Sequence, residues 1–79
     1  MNLYLISQSV NNDYDTYDSA VVAAETELAA RATHPNGDDD PPPYLVGCWA
    51  QPEDVKVTLV GVAVEGTEAG VICASFNAG

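Results

Sequence analysis

The chain has 79 residues, 47% of them hydrophobic, and sets twelve acidic side chains against Arg31 and Lys56 for a formal net charge of -10. A chain of this length makes one domain that buries roughly 60% of its unfolded surface, and the apolar fraction excludes wholesale disorder. Direct nucleic-acid binding is excluded as well, because it rests on lysines and arginines that neutralise phosphates.

Residues 2–10 (NLYLISQSV) alternate Leu3, Leu5 and Ser7 with Tyr4, Ile6 and Gln8. Apolar side chains on both faces predict a central strand. Residues 11–18 (NNDYDTYD) then pack three carboxylates and two tyrosines into eight positions with no cation beside them. Asn-Asn-Asp suffices for a connection, so Asp15 and Asp18 add charge that a turn does not require.

Residues 19–24 (SAVVAA) read as strand through Val21 and Val22, whereas the continuation ETELAARAT favours helix. Division at Thr26 resolves the conflict. Thr26 is an N-cap, Glu27 meets the positive end of the helix dipole, and Pro35-Asn36-Gly37 ends the segment. The competing reading is one helix over residues 18–33, with Glu25 inside its apolar stripe.

Residues 36–43 (NGDDDPPP) combine mutually repelling aspartates with prolines that fit neither a ladder nor a helix interior. They predict a solvated loop. Residues 44–50 (YLVGCWA) then tuck over the core, with Trp49 as its largest hydrophobe. After the turn at Pro52-Glu53-Asp54, residues 55–64 (VKVTLVGVAV) give the clearest strand: Val55, Val57 and Leu59 on one face, Lys56 and Thr58 on the other. Gly61 marks a bulge. EGTEAG turns the chain into a last strand over residues 71–76 (VICASF).

These elements predict an α+β fold: a small antiparallel four-stranded sheet with one short helix packed on one face (ββαββ). Short connections at the first and last strand pairs predict two hairpins.

Chemistry-bearing patterns are missing. An EF-hand loop wants glycine at its sixth position and glutamate at its twelfth. Counted from Asp13 these are Asp18 and Ala24, and from Asn11 they are Thr16 and Val22. His34, Cys48 and Cys73 include no close pair of the kind zinc requires. The glycines are dispersed, without a phosphate-cradling run, and the acidic runs lie in turns rather than in a pocket that would raise a carboxyl pKa. No metal, cofactor or enzyme activity is therefore expected. Cys48 and Cys73 read as reduced, buried thiols of a cytosolic protein, with a disulfide as the alternative. MNLYLISQ lacks the basic start of a secretory signal, and no apolar run reaches the ~18 residues of a membrane span.

Charge carries more information. A domain roughly 30 Å across bearing ten charges on one face approaches half the linear charge density of DNA, which has about one charge per 1.7 Å. Net charge of this size also serves solubility. The runs LYLISQSVNNDYDTYDSAVVAAETELAARATHP and PEDVKVTLVGVAVEGTEAGVICASFNAG resemble small proteins of bacteriophages and prophages. In size and acidity the chain resembles phage-encoded anti-CRISPR proteins, in particular type I-C inhibitors of Pseudomonas elements. Several of those act as DNA mimics.

The resemblance implies a monomer in the host cytoplasm that binds a type I CRISPR surveillance complex and blocks target DNA. Asp13, Asp15, Asp18, Asp38, Asp39, Asp40, Glu53 and Asp54 are then the residues expected to meet the basic DNA-binding channel of that effector. The alternative is a phage accessory module that binds another host or virion protein, with acidity serving solubility.

Overall fold

The computed structural model describes residues 1–11, 16–37 and 48–77. In chain order these form β1 (Asn2–Ser7), β2 (Thr16–Ala24), α1 (Glu27–Arg31), a 3-10 turn (Pro52–Asp54), β3 (Lys56–Val62) and β4 (Gly70–Asn77). All strand pairs are antiparallel, in the order β3-β1-β2-β4. The α+β class is as expected, and the Cα radius of gyration, 11.9 Å, matches the roughly 12 Å of a compact chain this long.

One expected hairpin is not formed. β1 and β2 pair, but β3 and β4 lie at opposite edges of the sheet, each against an inner strand. Three inter-strand spacings of ~4.8 Å separate them, about 14 Å. The seven residues between Val62 and Gly70 reach about 23 Å when extended. The connection therefore crosses the sheet end, where the Ala63 amide donates to the Met1 carbonyl at 3.0 Å. A hydrogen bond from the Thr67 amide to the Val64 carbonyl, 3.1 Å, and Gly66 at φ 91° turn it back.

Register explains the core. Tyr4 lies opposite Val22 and Ile6 opposite Ala20, while Ile6 faces Val57 on its other side. These side chains point to one face; Tyr4, Ile6, Ala20 and Val22 join Ala24, Ala30, Trp49 and Val55 in the buried cluster, and Val57 packs partly buried against it. Ile6 and Val22 are fully enclosed. The other face carries Leu3, Leu5 and Val21, half-buried, and Ala23, buried, with Thr58 and Cys73 exposed beside them. Among the described residues the core cluster draws only on the first face.

The helix begins where local chemistry dictates. Thr26 Oγ1 accepts the Ala29 amide at 3.1 Å, and Glu27 sits in the first turn. Only Ala30 of the helix is buried, so α1 presents a single small side chain to the sheet. Arg31 ties its far end down: the guanidinium donates to the Pro52 carbonyl at 3.2 Å, to the Val55 carbonyl, and to Glu27 at 3.3 Å.

Several local expectations change. Asp18 belongs to β2 rather than to the connection, because β2 begins at Thr16. Neither cysteine forms a disulfide and neither is buried: Cys48 is half-buried, and Cys73 is exposed on an edge strand. Leu59 shares the face of Val57 yet is 60% exposed at the sheet edge. The bulge near Gly61 is present, with Val60 as the extra residue opposite the Leu3/Tyr4 step. Asp13, Asp15, residues 38–43 of the loop expected over 36–43, and residues 44–47 of the segment expected over the core lie outside the described residues.

Candidate protein-binding surface

A buried amide organises the end of the sheet where the first acidic run departs. Gln8, 7% exposed, closes β1. Its Nε2 donates to the carbonyls of Asn11 at 2.7 Å and Tyr17 at 2.9 Å, and its Oε1 accepts the amides of Val10 at 3.0 Å and Asn11 at 2.8 Å. Every hydrogen-bonding site of the side chain is filled, which is what makes its burial tolerable. The Gln8 amide also donates to the Asp18 carbonyl at 3.2 Å. Both flanks of residues 12–15 are thereby fixed to the sheet.

Tyr17 gathers the remaining flanks. Its amide donates to the Cys48 carbonyl at 2.7 Å, and its hydroxyl donates to Asn36 Oδ1 at 3.5 Å. The ring stands edge-on to Phe76 at 4.8 Å and to His34 at 6.1 Å. Asn11 Nδ2 donates to the Trp49 carbonyl at 3.3 Å. His34, expected at a helix end, uses Nδ1 to accept the Asn36 amide at 3.0 Å. The described residues that flank the runs 12–15 and 38–47 are therefore held around Tyr17 and Gln8.

The carboxylates fall into two groups. Asp18, Glu53 and Asp54, three of the expected contact residues, lie at the Gln8 end, where Ser7 faces Lys56. Asp18 is separated from β3 by β1, about 10 Å at two strand spacings. Glu25, Glu65 and Glu68 lie at the opposite end, where Asn2 faces Ala24 and Val62. The length of β1, six residues, puts about 20 Å between the groups.

All six are exposed, as is Glu27. Only Glu27 is ion-paired among the described residues, to Arg31 at 3.3 Å. Since Arg31 also serves the 3-10 turn, the acidic surface is left essentially unneutralised. Charge counting along the chain overlooks Glu25, Glu65 and Glu68, because only the sheet brings them to one end.

Exposed apolar side chains lie between the groups. Leu59, Val60 and Val62 of β3, with Val64 just beyond, are 60%, 53%, 75% and 79% exposed. Ile72 and Phe76 of β4 are 53% and 45% exposed. A shallow depression of about 370 Å³ lies beside α1, lined by Ala23, Ala24, Glu25, Ala29, Thr33, Gly37, Ala69 and Gly70. Among its lining side chains Glu25 and Thr33 carry the polar groups, too few for a ligand site with several convergent polar atoms.

No family model, curated protein or solved structure matches the chain. Among the described residues no cluster of three or more His, Cys, Asp or Glu side chains is placed to hold a metal ion. No helix among them is long and apolar enough to cross a membrane.

Proposed function

We propose that this protein is an acidic inhibitor that occupies a basic nucleic-acid-binding groove as a DNA mimic. Its target is the DNA-binding channel of a type I CRISPR surveillance complex in the host cytoplasm, which it engages as a monomer and without catalysis. The observation that carries this reading is the unneutralised charge: exposed carboxylates at both ends of the sheet, none of the six in an ion pair among the described residues. Such a surface draws a lysine- and arginine-lined groove by long-range attraction, and that attraction raises the association rate more than it lowers the dissociation rate. Asp13, Asp15, Asp38, Asp39 and Asp40 add to the charge available on the chain.

Surface plasmon resonance on the immobilised effector tests the proposal. Binding weakens steeply between about 0.1 and 0.5 M salt, as the Debye length falls from ~10 Å to a few Å. Target DNA and the protein exclude each other. The pair Asp15→Lys and Asp18→Lys slows association by about tenfold, with folding checked by circular dichroism. Simultaneous binding of DNA, or an unchanged on-rate, rejects the mimic.

The exposed apolar side chains of β3 and β4 favour a second reading, an interaction module that grips another host or virion protein chiefly through apolar contact. Binding that persists at high salt and survives charge reversal identifies it.

A further inference from the structure

We propose that the outer edge of β3 is a docking edge, which an extended segment of a partner protein joins as a fifth strand. The segment has an apolar middle and lysine or arginine at both ends. The inference rests on the reading of this chain as an acidic protein-binding module, though not on the mimicry of DNA.

β3 pairs with β1 on one side only, and no described segment hydrogen-bonds to its other side. Unpaired backbone groups along an edge are a template for another strand, and isolated proteins blunt them with charges, proline, bulges or cover; of these β3 has Lys56 and the bulge at Val60. Lys56–Val62 (KVTLVGV) contains no proline, and its sole charge is Lys56 at the first position. Past Lys56 the strand is mostly apolar, and Leu59, Val60 and Val62 are each more than half exposed. Backbone pairing with an added strand supplies affinity, and alternate side chains supply specificity.

Charge selects the occupant. Glu53 and Asp54 immediately precede the strand and Glu65 follows it, all exposed. An added strand the length of β3, seven residues or about 23 Å, therefore has carboxylates near both of its ends, two against Lys56 at the first and Glu65 alone at the second. Lysine or arginine there is attracted, and acidic flanks are repelled. The same geometry argues against a second copy. Antiparallel pairing of two β3 edges about Leu59 sets Glu53 of each chain opposite Glu65 of the other, and it brings together two chains of net charge -10. β4 is the weaker edge. It exposes Cys73, Ala74 and Ser75 among its apolar residues, and Phe76 is engaged by Tyr17.

The test uses the whole chain, labelled for amide NMR, and a synthetic peptide whose core alternates valine and threonine over the length of β3 between paired lysines. The expected result is saturable binding at or below about 1 mM, with shift changes and slowed amide exchange concentrated at residues 56–62. Glutamate flanks on the same core, or N-methylation of its alternate amides, weaken binding by about tenfold or more. So does the triple variant Glu53→Gln, Asp54→Asn, Glu65→Gln, whose exposed positions leave the fold intact. Absence of binding, shifts spread away from β3, or equal affinity for the N-methylated peptide overturns the proposal. No nucleic-acid-binding protein enters these measurements. An effector that still competes with DNA while the peptide fails removes the docking edge alone, whereas a peptide that binds while the effector fails removes the mimicry alone.

Discussion

The inner and outer strands are built from similar residues and live in different surroundings. Ile6 on β1 and Val22 on β2 are fully buried, while Leu59 and Val62 on β3 are 60% and 75% exposed. Yet β3 is the most strand-like stretch of the sequence. A strong strand pattern reports the backbone conformation a segment prefers, and it does not report how many neighbours the strand will have. Burial follows from place in the sheet: β1 and β2 each have strands on both sides, and Ala30 and Trp49 close over the face of the sheet that carries Ile6 and Val22. β3, at the rim, keeps only Val57 and the preceding Val55 in contact with that core.

The sharpest way to break this comparison is to truncate one residue from each class and measure urea unfolding. Ile6→Ala removes a fully enclosed side chain and should cost about 2–5 kcal/mol, through lost transfer energy and the cavity left behind. A domain this size has only about 4–12 kcal/mol in total, so the variant should sit near its unfolding threshold. Little loss would mean that the centre of the sheet is looser than the register implies.

A smaller effect is expected at the helix. Thr26→Ala removes the cap on the Ala29 amide and should cost about 1 kcal/mol, a fall in melting temperature of roughly 4–8 °C for a domain of this size. Asn or Asp at the same position should restore most of it. Loss without such rescue would point to packing rather than capping.

The smallest change belongs to the rim. Val62→Thr keeps a β-branched side chain in the strand and alters a position that is already 75% exposed, so stability should move by no more than about 0.5 kcal/mol. A cost like that at Ile6 would show that the edge is covered in solution by something that buries Val62.

What could be read along the chain was local. Thr26 with Glu27 marked the start of the helix, and the alternation of residues 2–7 and 55–59 marked strands, because caps and side-chain period act within a few residues. Sheet order was less accessible. The last two strands are separated by a segment whose glycines and glutamates suit a hairpin, and nothing in that segment says that β1 and β2 already stand between them. Gln8 was equally opaque: a glutamine ahead of Asn-Asn-Asp reads as the polar end of a strand. Its role appears only once Asn11 and Tyr17 are folded back on it.

The sequence by itself determined the α+β class, the position of α1 and the large negative charge, since these depend on backbone preference, short-range capping and a count of ionised groups. Only the tertiary structure decided how that charge is distributed and which apolar residues stay outside. Glu25, Glu65 and Glu68 share one end of the sheet because β2 ends beside Gly70, where the connection that left β3 across the sheet end enters β4. Val60 and Val62 stay in water because the register that pairs Tyr4 with Val22 and Ile6 with Ala20 gives the centre of the sheet to the first two strands.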